Sequence, residues 1–174
     1  MKQISFELES MCPIKMDNFV SGPQPKTDEG YKKQAEEKTY INDKGNLCIP
    51  AAALKATIKI AAGELAGMKK GKNVKQAIRA FLFIKDDLDL GTKKYDCIAR
   101  DMVTRGKGDK VTRVTTYRPL IKEWKAKGII EYIEDGMLEP KFIKQAVELA
   151  GIKYGLLSHR PEFGRFSIKK WEAK

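Results

Sequence analysis

The sequence predicts an α+β fold: a two-layer sandwich of two helices over one face of a sheet of some four strands. Three observations predict it. Ile4, Phe6 and Leu8 alternate with Gln3, Ser5, Glu7 and Glu9, the two-residue period of a half-buried strand. Pro50 and Pro140 each open a run of apolar residues at helical spacing. Further β-prone runs separate and follow those two helices.

Taken in order, residues 10–38 come after the first strand. They hold Pro13, Gly22, Pro23, Pro25, Gly30 and a charged run without a period, and read as a long excursion ordered by a partner. Thr39–Ile41 and Leu47–Ile49 flank Asn42-Asp43-Lys44-Gly45-Asn46 as a short hairpin. Behind Pro50, Leu54, Ile58, Ala61, Ala62 and Leu65 form a helical stripe that Gly67 should stop. A short helical segment, Asn73–Ala80, leads into Phe81-Leu82-Phe83-Ile84, an apolar run suited to a buried strand.

The arms Tyr95–Thr104 and Val111–Tyr117 flank Arg105-Gly106-Lys107-Gly108-Asp109-Lys110. The second arm is β-branched but poor in large apolar residues, so a hairpin projecting from the body with a basic tip is expected. Leu120–Ile133 returns to the core as one strand, or two broken at Lys127-Gly128. Behind Pro140, Phe142, Ile143, Ala146, Val147 and Ala150 make the second stripe, with Gly151 as a natural C-cap. Tyr154–Arg165 is a loop rich in glycine and arginine, and Phe166–Ile168 begins a last strand. This order fits a split β-α-β arrangement of the ferredoxin-like or RNA-recognition-motif-like kind, in one domain spanning residues 1–174.

The chain has 174 residues, 42% of them apolar and 33% charged, enough to bury a core beneath a charged surface. No run approaches the roughly 18 apolar residues of a membrane span. Met1–Ser10 alternates and carries Glu7 and Glu9, unlike a signal peptide, so a cytoplasmic protein without a membrane partner is expected. Cys12, Cys48 and Cys97 are odd in number and far apart, which suits free thiols. With one histidine and no C-x-x-C pair, neither a metal site nor a cofactor is expected.

The net charge of +11 is unevenly spread. Residues 1–50 hold seven Lys/Arg against eight Asp/Glu, whereas residues 91–118 hold eight against three. Such a local excess favours a polyanion, because each phosphate neutralised releases counterions. The basic residues Arg100, Arg105, Lys107, Lys110, Arg113 and Arg118 are therefore binding candidates, with Tyr117 as the best base-stacking ring. In the glycine loop, Arg160 and Arg165 offer charge, and Gly164 offers close backbone approach or a positive φ. Lys55 and Lys59 lie near a helix start, where the dipole suits phosphate; a solvated helix face fits them equally. His159, the one histidine, can contact RNA, make a structural hydrogen bond or serve as a general acid or base. Asp86, Asp87 and Asp89 read as a solvated acidic turn.

Two stretches carry a family resemblance. Ile49-Pro50-Ala51-Ala52-Ala53-Leu54-Lys55-Ala56-Thr57-Ile58-Lys59 resembles the strand-to-helix entry of CRISPR-associated RAMP proteins, with Ala53, Ala56 and Lys59 where that entry has Ser, Gly and Arg. The stretch Gly151–Phe166, ending Gly164-Arg165-Phe166, is similar to the glycine-rich loop near the end of the RAMP backbone subunits. The resemblance implies a modified RNA-recognition-motif core that grips guide-RNA backbone, with 95–117 as the projecting thumb hairpin. It also draws attention to Asp17, since some backbone subunits cut target RNA with a loop aspartate. The expected function is non-catalytic binding of single-stranded RNA, alone or as a homo-oligomer or filament on nucleic acid. A single-stranded DNA-binding protein and a metal-independent ribonuclease using His159 are the alternatives.

Overall fold

The computed structural model describes residues 1–23, 25–106, 108, 111–134 and 136–173, with only the backbone at Arg105. Strand β1 (Lys2–Ser10) buries Ile4, Phe6 and Leu8 as its alternation requires. It pairs antiparallel with β8 (Lys125–Tyr132) on one side and β9 (Phe166–Ala173) on the other; β4 (Leu82–Ile84) adds to the far edge of β8. The sheet order is β4-β8-β1-β9. Helices α2 (Ala51–Leu65) and α3 (Gly67–Phe81) connect β1 to β4, and α4 (Pro140–Leu149) connects β8 to β9. That connection pattern and strand order make the fold ferredoxin-like.

The core joins the apolar row of β1 to Leu54, Ile58 and Ala61 of α2 and to Ile143, Ala146 and Val147 of α4. The polar row of β1 is closed by charge. Glu7 lies opposite Lys127 and Lys170, and Lys125 and Lys169 reach Glu9 at 3.3 and 3.6 Å. An RNA-recognition motif stacks bases on aromatic rings of its open sheet; on β1 that row is instead held in ion pairs.

The segment 120–133 is neither one strand nor two broken at Lys127-Gly128: one strand ends at Ile121, and β8 starts at Lys125 and runs unbroken through Lys127-Gly128. Gly128 faces Phe6, and a Cβ there would stand 2.5 Å from both the Phe6 ring and Leu88 of β5 (Leu88–Asp89). The glycine makes room for two apolar side chains and does not end the strand. Helix boundaries also shift. The expected short helix at 73–80 is the second half of a longer one, α3, which Gly67 starts (φ 71°) instead of merely stopping α2. Gly151 is no C-cap: the chain continues through a π-helical turn, Ala150–Tyr154, and Gly155 caps it at φ 68°. Pro50 is the N-cap of α2, one residue earlier than expected.

Two insertions depart from the sandwich. Between β4 and β8, β6 (Cys97–Arg105) and β7 (Thr112–Ile121) pair from Cys97↔Leu120 to Arg105↔Thr112 as a long hairpin. Between β1 and α2, the excursion packs against the hairpin. The short strand β2 (Ile14–Lys15) pairs with β7, and α1 (Asp28–Gln34) packs against β7 as well. Thr27 caps α1, its Oγ accepting from Gly30 N–H at 3.1 Å. The root of the hairpin is therefore clamped, and its far half, with Met102 66% exposed, projects. The tip residues Lys107, Asp109 and Lys110 lie outside the described residues.

Strand β3 (Cys48–Ile49) pairs with β5, while Ile41 and Leu47 make one bridge of the expected small hairpin. The acidic turn has a task. Asp87 Oδ1 accepts the first free N–H of α2, from Ala51 at 2.8 Å, and Asp89 accepts from Gly91 N–H and from Asn46. The three cysteines are free. Among the described residues, no helix is long and apolar enough to cross a membrane.

Candidate nucleic-acid interface

The glycine loop, β2 and the hairpin root converge on one cluster of charges. Lys15, only 4% exposed in its side chain, donates to Asp101 Oδ1 at 2.6 Å. Arg118 directs Nε and Nη2 to Asp17 Oδ2, both at 2.8 Å, and Nη1 to the Thr116 hydroxyl. Lys38 reaches the other Asp17 oxygen at 3.3 Å. From the loop side, His159 Nδ1 faces Asp101 Oδ2 at 3.8 Å, and Arg118 Nη1 faces the same oxygen at 3.6 Å. That oxygen is buried and has no hydrogen-bond partner among the described residues. Three cations thus surround two carboxylates, leaving the cluster positive even with His159 neutral.

The loop is held to this cluster by backbone and ring contacts. Ser158 bridges to Lys15, and Gly164 N–H donates to Pro13 O at 2.8 Å. Lys15 Nζ lies 3.7 Å from the centre of the Phe163 ring, and His159 meets the same ring edge-on. Leu157 and His159 sit at φ 60° and 58°, a conformation non-glycine residues seldom adopt, so surrounding contacts must hold them there. On its other side the loop reaches α2: Arg160 Nη1 donates to Thr57 Oγ at 3.3 Å, and that hydroxyl donates to Ala53 O and reaches Gly155 O.

Several sequence-predicted residues sit elsewhere than expected. Tyr117 is no stacking platform. It is 7% exposed, and its hydroxyl, donating to Asp28 of α1, is held above the ordinary tyrosine value, chiefly by that hydrogen bond. Arg118, equally buried, is spent on Asp17 and Asp101 and is not open to a phosphate. Lys55 and Lys59 are separated from the loop. Two residues on a helix subtend about 200°, so with Thr57 turned to the loop its neighbours two away face the other side. Lys55 instead donates to Arg79 O at 3.0 Å and lies over Phe83; burial first, then the Lys59 charge, lowers its pKa. Gly164 does make a close backbone approach, but to its own chain: a Cβ there would stand 2.0 Å from Leu156 O. Phe166 is core.

Arg100, Arg113, Arg160 and Arg165 are exposed, and among the described residues none has a carboxylate partner. Arg118 and Lys38 hold the two oxygens of Asp17. Lys15, Lys38 and Asp101 were overlooked by sequence reasoning. Lys15 carries a local signal, a charge between Ile14 and Met16, whereas Lys38 follows Glu36 and Glu37 in a charged turn and Asp101 follows Arg100, so neither stands out from its neighbours.

No protein-family model and no curated protein matches this chain. A solved structure does: a chain of the type III-B Cmr-β complex bound to cognate target RNA, with a TM-score of 0.60 and 13% identity. The alignment covers 99% of this chain and 60% of that one. The two share a fold. This chain spans 60% of the length of that one. At the level of fold this agrees with the RAMP resemblance of the two end motifs.

Proposed function

We propose that this chain binds single-stranded RNA without cleaving it, laying the sugar–phosphate backbone across the hairpin root and the glycine loop. One observation carries the reading. A buried ion cluster clasps the hairpin to the glycine loop, segments far apart in sequence, and both segments carry exposed arginines without carboxylate partners among the described residues: Arg160 and Arg165 on the loop, Arg100 and Arg113 on the hairpin. Guanidinium groups match phosphate oxygens in a two-pronged geometry, and a rigid support places them without further ordering cost.

One further fact supports RNA binding: the Cmr-β structure of like fold is bound to target RNA. Within the cluster, Asp17 is tied to Arg118 and Lys38, and Asp101, which His159 faces, holds Lys15, so these groups join the loop to the hairpin. On this reading several copies can line one strand as a filament.

The test is titration of labelled single-stranded RNA and of DNA of the same sequence at rising salt. Four phosphate contacts on a single strand give a log–log slope of about −3. A flat curve would overturn the reading. Tighter binding of DNA would favour a single-stranded DNA-binding protein, and shortened RNA would favour the His159 ribonuclease.

A further inference from the structure

We infer that the groove between the segment after β2 and helix α1 is a subsite for one unpaired nucleobase, with Phe19 as its stacking surface. The inference rests on the single-strand-binding reading and adds base contact to a grip argued so far from phosphate alone.

Phe19 is 86% exposed, an unfavourable place for an aromatic ring that covers nothing. Its segment is nevertheless anchored. Asn18 N–H donates to Lys38 O at 2.9 Å, Asn18 Nδ2 donates to Thr39 O at 3.1 Å, and Phe19 N–H donates back to Asn18 Oδ1 at 2.9 Å. These bonds fix the backbone beneath the ring and hold it outward.

The groove has a volume of about 160 Å³, and Phe19, Tyr31, Gln34, Asp17 and Lys38 are among its lining residues. Tyr31 supplies a second aromatic ring. Gln34 is half-buried, and its carboxamide has no hydrogen-bond partner among the described residues. It offers a donor and an acceptor side by side, the pattern that reads the edge of a base. The groove is also continuous with the charge cluster, because Asp17 lines it and binds Arg118. A strand whose phosphates cross the hairpin root can therefore seat a splayed base beside it. Rings, an unspent amide and neighbouring cations together suit a nucleobase.

The experiment compares the full chain with its Phe19→Ala variant on two labelled probes: a single-stranded RNA, and an abasic ribose-phosphate oligomer of equal length. Phe19→Ala should weaken binding of the base-bearing RNA roughly tenfold and leave the abasic probe unchanged. Phe19→Trp should keep the affinity, and its emission should be quenched by the RNA but not by the abasic probe. Unchanged RNA binding by Phe19→Ala, or equal losses on both probes, overturns the subsite while the backbone-binding reading stands. Failure of the wild-type chain to bind either probe overturns both. Because the ring is exposed, thermal melts of Phe19→Ala should match wild type.

Discussion

Lys15 Nζ and Asp101 Oδ1 meet at 2.6 Å across the face of β7, joining the two-residue strand β2 to the far arm of the hairpin. Both side chains are largely buried, 4% and 15% exposed, and Asp101 also lies near Arg118 and His159. It is the carboxylate that the strand, the hairpin and the glycine loop share. Removing it leaves Lys15 buried without a counter-charge. Asp101→Ala should therefore cost about 3–5 kcal/mol, the range for breaking a buried ion pair from one side. Lys15→Met should cost clearly less, because Asp101 keeps Arg118 nearby and the new side chain still covers Phe163. Urea unfolding of both variants checks the order, and a larger loss in Lys15→Met would contradict it.

The arginines should divide by burial. Arg160→Ala and Arg165→Ala remove exposed guanidiniums and should each weaken single-stranded RNA binding by roughly 1–3 kcal/mol with little change in Tm. Arg118→Ala should do the reverse: a marked fall in Tm, because Asp17 and Asp101 lose their shared partner. Thermal melts beside fluorescence anisotropy separate the classes. Wild-type affinity in both loop variants would take the loop out of the interface.

What the sequence made legible is the part of the fold set by local periodicity. The alternation in β1 and the stripes of α2 and α4 each bury one face against a single core, so sequence order alone implied the ferredoxin-like sandwich. The root of the hairpin was hidden for the opposite reason. One face of β7 is packed with ion pairs, so it lacked the apolar residues by which a buried strand is recognised, and Tyr117 and Arg118 looked exposed. Which charges pair, such as Arg118 with Asp17 across 101 positions, is a property of topology. The same holds for the cap that Asp87 gives α2 from 36 residues away, and for α1, which buries none of its own residues and depends on β7 for support. The separation of Lys55 and Lys59 from the loop could have been read from helical spacing once Thr57 was known to face it. The exposure of Phe19 had no sequence signal beyond an aromatic ring in a stretch of glycine and proline.

Gly164 offers the sharpest test of the loop, because two costs of substitution can be separated there. Its φ of 78° lies in the left-handed region, and a Cβ would stand 2.0 Å from Leu156 O and 2.7 Å from Leu156 N. Leu156 N–H also donates to Gly164 O at 3.0 Å, so the two residues form the neck that closes the loop carrying His159 and Arg160. Gly45, in the turn before β3, has nearly the same φ of 75° but nothing within 4 Å of its Cβ position. Gly45→Ala should therefore cost only the strain of the left-handed conformation, about 1 kcal/mol. Gly164→Ala adds overpacking against backbone that cannot move aside, for a total of about 3 kcal/mol or more. It should also weaken RNA binding at temperatures where the core stays folded, since an opened neck displaces Arg160 with no charge lost. Gly45→Ala should leave binding unchanged. Equal melting shifts in the two variants would mean that the Leu156 contact does not set the loop. Unaltered RNA affinity in a destabilised Gly164→Ala would mean that the geometry of the loop is irrelevant to binding.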